Sequence, residues 1–232
     1  MIRAIFIDID NTLLDFDAYV KESLRSGFKQ FGLPEYEPFM YDTFKEINDD
    51  IWRQLERKEI DFETLKKNRF NLIFKALGFE CDGEAFETYF RSALNESAIP
   101  VNGAYELLEV LSKDYILCTA SNGPCNQQIN RLQIADMLKY FEYNFISEKL
   151  GHSKPSRNFF DAAFAQLNDK RANPIVPNEC IMIGDSLTSD IAGGYEYGMK
   201  TCFYSHHKQD IQDSRINYFV KELCQIPDEI KK

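Results

Sequence analysis

The sequence predicts an α/β protein in which a doubly wound parallel sheet is interrupted, shortly after its first strand, by an all-helical insertion. Three observations carry this. Residues 5–13 form an apolar, β-type run broken only by Asp8, Asp10 and the residues after them; residues 16–95 hold only helical periodicity; and beyond Pro100 helices alternate with short apolar strands. Such alternation implies βαβ units and a parallel sheet with helices on both faces. A lone strand does not stand beside a helical bundle, so the first strand belongs with the later ones. The sheet domain is therefore assigned to residues 1–15 and 97–232, and the inserted helical domain to residues 16–96.

Within the insertion, helices are expected over 17–31, 38–57, 61–77 and 83–95. Gly32 and Pro34 stop the first, Gly78 stops the third, and Asp61 with Thr64 or Asp82 with Ala85 has the form of an N-terminal cap. Phe44, Ile47, Ile51 and Leu55 recur at three-to-four-residue spacing, an amphipathic stripe. The second half reads as helix 103–113, strand 115–120, helix 124–135, strand 144–147, helix 156–168, strand 179–184, helix 188–196 and strand 200–204. A short strand near 216–220 and a frayed helical end follow, and Asp169–Pro177, with two prolines, reads as an exposed loop.

A composition of 44% hydrophobic and 14% aromatic residues excludes a disordered chain. The net charge of −10 disfavours nucleic-acid polymers and anionic membranes, so an anionic small molecule has to be held by local positive charge. The six cysteines form no C-x-x-C pair, and Cys118, Cys180 and Cys202 sit in or beside apolar runs, as core thiols in a reducing compartment do. No early apolar run has the form of a signal peptide, and none reaches the ~20 residues that span a bilayer. The expectation is a cytoplasmic monomer or homodimer. His152, His206 and His207 lack metal-ligand spacing and receive no catalytic role.

The polar residues that interrupt this scheme cluster after strands. Asp8 and Asp10, at i and i+2, face the same way if the strand persists through them, at the end where open α/β sheets bind ligands. Two readings fit the pair: an oxygen site for a hard cation such as Mg²⁺, or a strand-to-turn transition completed by Asn11. Ser121-Asn122-Gly123 follows the second strand, Lys154-Pro155 the third, and Gly184-Asp185 the fourth, with Asp190 five residues on. Each has a local alternative as helix cap, loop lysine or first-turn acid. Their concurrence at C-terminal strand ends favours a common site.

In order, Asp8-x-Asp10-x-Thr12, Ser121-Asn122, Lys154-Pro155 and Gly184-Asp185-(x)₄-Asp190 resemble the four motifs of the haloacid dehalogenase (HAD) superfamily, whose Rossmann-like core carries a helical cap where this insertion lies. The resemblance implies that Asp8 is a nucleophile forming an aspartyl-phosphate and that Asp10 is the general acid and base. It implies Mg²⁺ held by Asp8, the backbone carbonyl of Asp10 and Asp185, with Asp190 either reaching the ion through water or orienting Lys154. Lys154 supplies positive charge, Ser121 with the Asn122 and Gly123 amides donates to phosphoryl oxygens, and Thr12 orients the Asp10 loop.

The acid at Asp10 argues for phosphoryl transfer over carbon–halogen cleavage. The Asp-Asn-Thr-Leu ending of the first motif and the stretch from Gly184 to Gly194 are similar to bacterial house-cleaning pyrimidine 5'-nucleotidases, although Ser121 stands where those enzymes often have threonine. A phosphatase for sugar phosphates or other small molecules, a phosphosugar mutase, and a noncatalytic phosphate-binding regulator are the alternatives. Cap closure over the leaving group would set specificity. Phe16, Tyr19, Tyr41 and Trp52 either stack on a base or fill the cap core, and Arg53, Arg57 and Lys58 read as a solvated face.

Overall fold

Strand β1 (Ala4–Ile7) is buried along its whole length, as a central parallel strand covered by helices on both faces must be. The computed structural model describes residues 1–205 and 211–231, so His206 and His207 lie outside the described residues. The chain forms two compact units, Met1–Asp15 with Ala98–Lys232, and Phe16–Ser97.

The second unit consists of four helices: α1 (Phe16–Gln30), α2 (Pro38–Glu56), α3 (Phe62–Leu77) and α4 (Gly83–Glu96). Their limits follow the sequence signals. Asp61 accepts from the Thr64 N–H at 2.7 Å, Asp82 from the Ala85 N–H at 3.0 Å, and Gly78 closes α3 at φ 72°. The interior is unusually aromatic, with Phe28, Phe44, Phe70, Phe74, Phe86 and Phe90 all buried. Inside it Arg69 pairs with both oxygens of Glu87, at 2.9 and 2.7 Å, and donates to Asn48 at 3.0 Å. Tyr19 is part of this core, its hydroxyl donating to the Phe90 carbonyl, and Phe16 packs on it; Trp52 lies against Phe62.

In the first unit α5 (Ala104–Leu111), β2 (Ile116–Ser121), α6 (Cys125–Ile134), β3 (Tyr143–Ile146), α7 (Ser147–Leu150), α8 (Arg157–Asn168), β4 (Cys180–Gly184), α9 (Ala192–Tyr197), β5 (Lys200–Tyr204), β6 (Tyr218–Val220) and α10 (Ile226–Glu229) follow in order. All strand pairs are parallel, and the sheet runs β3-β2-β1-β4-β5-β6. Alternate β1 residues feed two cores. Ile5 and Ile7 pack with Leu107, Leu108 and Leu132, whereas Ala4 and Phe6 pack with Phe159, Phe160 and Ala163. Cys118, Cys180 and Cys202 are buried, as their apolar context foretold.

Two details depart from the expected elements. One turn of helix, α7, follows β3 directly. The expected helix 188–196 begins as a π-helical turn, Leu187–Ile191, before α9. The segment 169–177 is the exposed loop expected except at Ile175, which is buried beside α8, and Arg3 holds the Asn173 carbonyl at 3.1 Å and the Pro174 carbonyl at 3.3 Å. Among the described residues no helix is long and apolar enough to cross a membrane.

Candidate active site

The strand order reverses around β1, whose neighbours are β2 and β4; register aligns Ile7 with Thr119 and with Ile183. Asp8 and Asp185, just past β1 and β4, and Ser121, the last residue of β2, therefore share the C-terminal edge at a topological switch point. The Asp8 N–H continues the ladder, donating to the Ile183 carbonyl at 2.9 Å. There regular pairing stops. The N–H groups of Leu13 and Leu14 both fold back on the Ile9 carbonyl at 2.9 Å, and Asn11 adopts φ 57°, a conformation asparagine tolerates better than most residues. Asp8 and Asp10 consequently have separate partners rather than one shared strand face.

Asp8 faces Lys154. The Lys154 ammonium is 1% exposed and donates to Asp8 Oδ1 at 2.7 Å, to Asp190 Oδ1 at 2.6 Å and to the Ala120 carbonyl. Burial pushes the Asp8 carboxyl up to about 7, against the opposing pull of Lys154, and Asp190 and Asp10 add to the rise. Burial alone would lower Lys154, but the Asp190 and Asp8 carboxylates more than offset it and hold the ammonium above the ordinary lysine value. The lysine is thus a fixed cation wedged between two acids.

The remaining oxygen of Asp190, Oδ2, accepts from the Ser186 N–H at 3.1 Å. The π-helical turn that carries Asp190 folds it back against Gly184, where an added Cβ would lie 2.1 Å from Oδ2. Only glycine leaves room for that carboxylate. Lys154 is fixed at its backbone too: its N–H donates to the Asn122 side-chain oxygen, and its carbonyl accepts from the Asn122 amide nitrogen, both at 2.8 Å. Asn122 therefore uses its side chain as an anchor for Lys154, while the Gly123 N–H is bonded to Ser147 Oγ at 3.1 Å.

Asp8, Asp185 and Asp190 each offer a carboxylate oxygen within 4.8 Å of the others. An all-oxygen, acidic donor set fits a hard divalent cation better than a transition metal. Asp10 lies to one side, its carboxylate 34% exposed and bonded to two residues of α6: Arg131 at 2.6 Å and Gln128 at 2.7 Å. Gln128 also donates to Ser121 Oγ at 2.7 Å. Thr12 is fully buried in the turn, and its hydroxyl finds no partner among the described residues.

Gln128 and Arg131 do not stand out in the sequence. Their i, i+3 spacing on a polar helix reads as a solvated face, and only the placement of α6 against the sheet edge turns that face inward. The nearest sequence signal is their position one and two turns beyond Ser121-Asn122-Gly123.

The C-terminal edge of this α/β core thus gathers three carboxylates, two of them paired with a buried lysine, in the manner of a candidate hydrolase centre. The family model for haloacid dehalogenase-like hydrolases matches residues 2–198, and the chain belongs to that family. It is 32% identical over 220 residues to the pyrimidine 5'-nucleotidase PynA of Streptococcus pneumoniae, covering 94% of this chain and 90% of PynA. It is 31% identical over 222 residues to the HAD-hydrolase YfnB of Bacillus subtilis, covering 95% and 92% of the two chains. A crystal structure of YfnB bound to magnesium superimposes with a TM-score of 0.88 at 28% identity, covering 100% of this chain and 99% of that one.

Proposed function

We propose that the protein is a Mg²⁺-dependent phosphatase that cleaves phosphomonoesters through an aspartyl-phosphate, with pyrimidine nucleoside 5'-monophosphates as its substrates. The observation that carries this reading is Lys154, buried between Asp8 and Asp190 with Asp185 alongside: a nucleophile, a fixed cation and a cation site within one sheet edge.

Lys154 occupies Asp8 Oδ1, leaving the second oxygen to attack phosphorus. As the Asp8–phosphorus bond forms, the bond from phosphorus to the ester oxygen breaks, and Asp10 gives its proton to the departing alkoxide. A water then attacks the phosphorus of the acyl phosphate, Asp10 takes its proton, and phosphate leaves as the Asp8 carboxylate is restored. Ser121 and Lys154 stabilise charge on the phosphoryl oxygens. Mg²⁺, held by Asp8, Asp185 and the Asp10 carbonyl, would offset repulsion between carboxylate and phosphate. Asp190, with its oxygens on Lys154 and the Ser186 N–H, positions the lysine.

The nucleotide assignment draws on the likeness to PynA. The test is phosphate release across nucleoside monophosphates and sugar phosphates with Mg²⁺, with EDTA, and in Asp8→Asn. Turnover highest on pyrimidine nucleotides and lost in the last two conditions is expected. Preferential turnover of sugar phosphates would replace the substrate class, isomer formation in excess of phosphate release would make the enzyme a mutase, and binding without turnover across several divalent metals would make it a noncatalytic binder.

A further inference from the structure

Arg131 is 1% exposed, yet the carboxylate it pairs with belongs to Asp10, a half-open group at the site edge. A buried guanidinium is costly to desolvate, and a pairing of this kind is weak evidence for stability. Its geometry is more informative. The Arg131 guanidinium nitrogen NH1 donates both to Asp10 Oδ1 at 2.6 Å and to Gln128 Oε1 at 2.9 Å. A donor on Oε1 fixes which end of the Gln128 amide is oxygen, so Nε2 must face the other way. There it donates to Asp10 Oδ2 and to Ser121 Oγ, each at 2.7 Å.

The polarity of this chain of bonds has a consequence at each end. Ser121 Oγ already accepts from Gln128, so its one hydrogen is available to donate elsewhere. Asp10 is gripped through both oxygens by one helix, one oxygen by Arg131 and the other by Gln128. We propose that Gln128 and Arg131 are positioning residues of the hydrolytic reaction: Arg131 sets the Gln128 amide, and Gln128 turns the Ser121 hydroxyl toward the phosphoryl group while fixing Asp10 relative to it. This rests on the phosphomonoesterase reading. The relay couples the group that holds phosphate to the group that serves the leaving oxygen, through two side chains one turn apart on α6.

A helper that merely stabilises the fold and one that positions an acid differ in leaving-group dependence. An aliphatic phosphate ester needs its departing oxygen protonated, whereas p-nitrophenyl phosphate leaves without much help. In Arg131→Met the expected loss of kcat is about 100-fold on a nucleoside 5'-monophosphate and about tenfold or less on p-nitrophenyl phosphate. Gln128→Met should show the same asymmetry with a higher KM for both esters, and Arg131→Lys should recover more of the nucleotide turnover than of the p-nitrophenyl phosphate turnover. Equal losses on the two esters would overturn the proposal. A second measurement uses the wild-type protein and no turnover. The Gln128 side-chain amide protons, followed by ¹⁵N-edited NMR, are expected to exchange slowly with solvent; exchange as fast as an exposed glutamine's would overturn the relay. If that protection is present while no phosphomonoester is hydrolysed, the functional reading fails and the hydrogen-bonded relay stands, its role in hydrolysis overturned with that reading.

Discussion

Replacing the proposed nucleophile should make the metal-free protein more stable. The Asp8 carboxyl, buried against Lys154, is raised from 3.8 to about 7. The folded state therefore holds this proton more tightly than the unfolded chain does. The stability carried by the protonated carboxyl is complete below 3.8 and is lost as the pH rises through about 7. Each tenfold change in proton affinity is worth about 1.4 kcal/mol, so Asp8 costs the fold about 4 kcal/mol at pH 8, where it is largely ionised in the fold, and about 2 kcal/mol at pH 5, where folding takes up a proton. Asparagine has the shape of the protonated acid and never ionises. Asp8→Asn should then exceed the wild type in stability by about 4 kcal/mol at pH 8, a rise in Tm of roughly 10 °C, with the gap narrowing toward pH 5. Urea or thermal unfolding in EDTA across that range is the assay. A gap that stays constant with pH, or a variant less stable than the wild type at pH 8, would refute the reasoning.

Lys154→Met leaves Asp8 and Asp190 facing each other without their shared cation, and should cost about 3–5 kcal/mol in urea unfolding at pH 8 and abolish turnover. Gly184→Ala drives a methyl into Asp190; the expected loss is about 1–3 kcal/mol of stability with a fall in kcat, since the displaced carboxylate can no longer hold Lys154. In the helical unit, Arg69→Met alone strands Glu87, which is 4% exposed, at a cost of about 3–5 kcal/mol, whereas the double replacement Arg69→Met with Glu87→Leu should unfold close to the wild-type midpoint.

The contrast between α3 and α6 shows where the sequence is legible. Asp61, Gly78, Asp82 and the apolar spacing of α2 are local signals, set by hydrogen bonds within a few residues, and the elements they delimit form where they indicate. The alternation after Pro100 likewise dictates a parallel sheet, because each strand has to be buried on both faces. Asp8, Ser121 and Asp185 are visible because they end apolar strands or follow them directly, and Lys154 and Asp190 because they lie in the segments that come after such strands. Partnerships are a different matter. That Asn122 grips the Lys154 backbone 32 residues away, or that Asp10 turns to Arg131 at a separation of 121 residues, depends on tertiary distances that spacing does not encode. β1 ends at Ile7, before both Asp8 and Asp10, so a simple i, i+2 strand rule does not orient the two carboxylates.

The two chain segments that leave for the helical unit and return from it run side by side. Leu14 bridges Pro100, the Asp15 N–H donates to the Ile99 carbonyl at 2.8 Å, and the Val101 N–H donates to the Leu13 carbonyl at 2.9 Å. The departure and arrival points are thus one hydrogen bond apart, and a few residues would suffice to join them. Closing so short a gap adds little loop entropy. For lineage, this means the sheet domain is topologically whole without its insertion: recombination could exchange the helical segment for another, or for a tight turn, without re-threading a single strand. A gene encoding this core could exchange its helical segment by splicing at one ribbon, while the residues proposed to perform the hydrolysis stay in frame on either side of it.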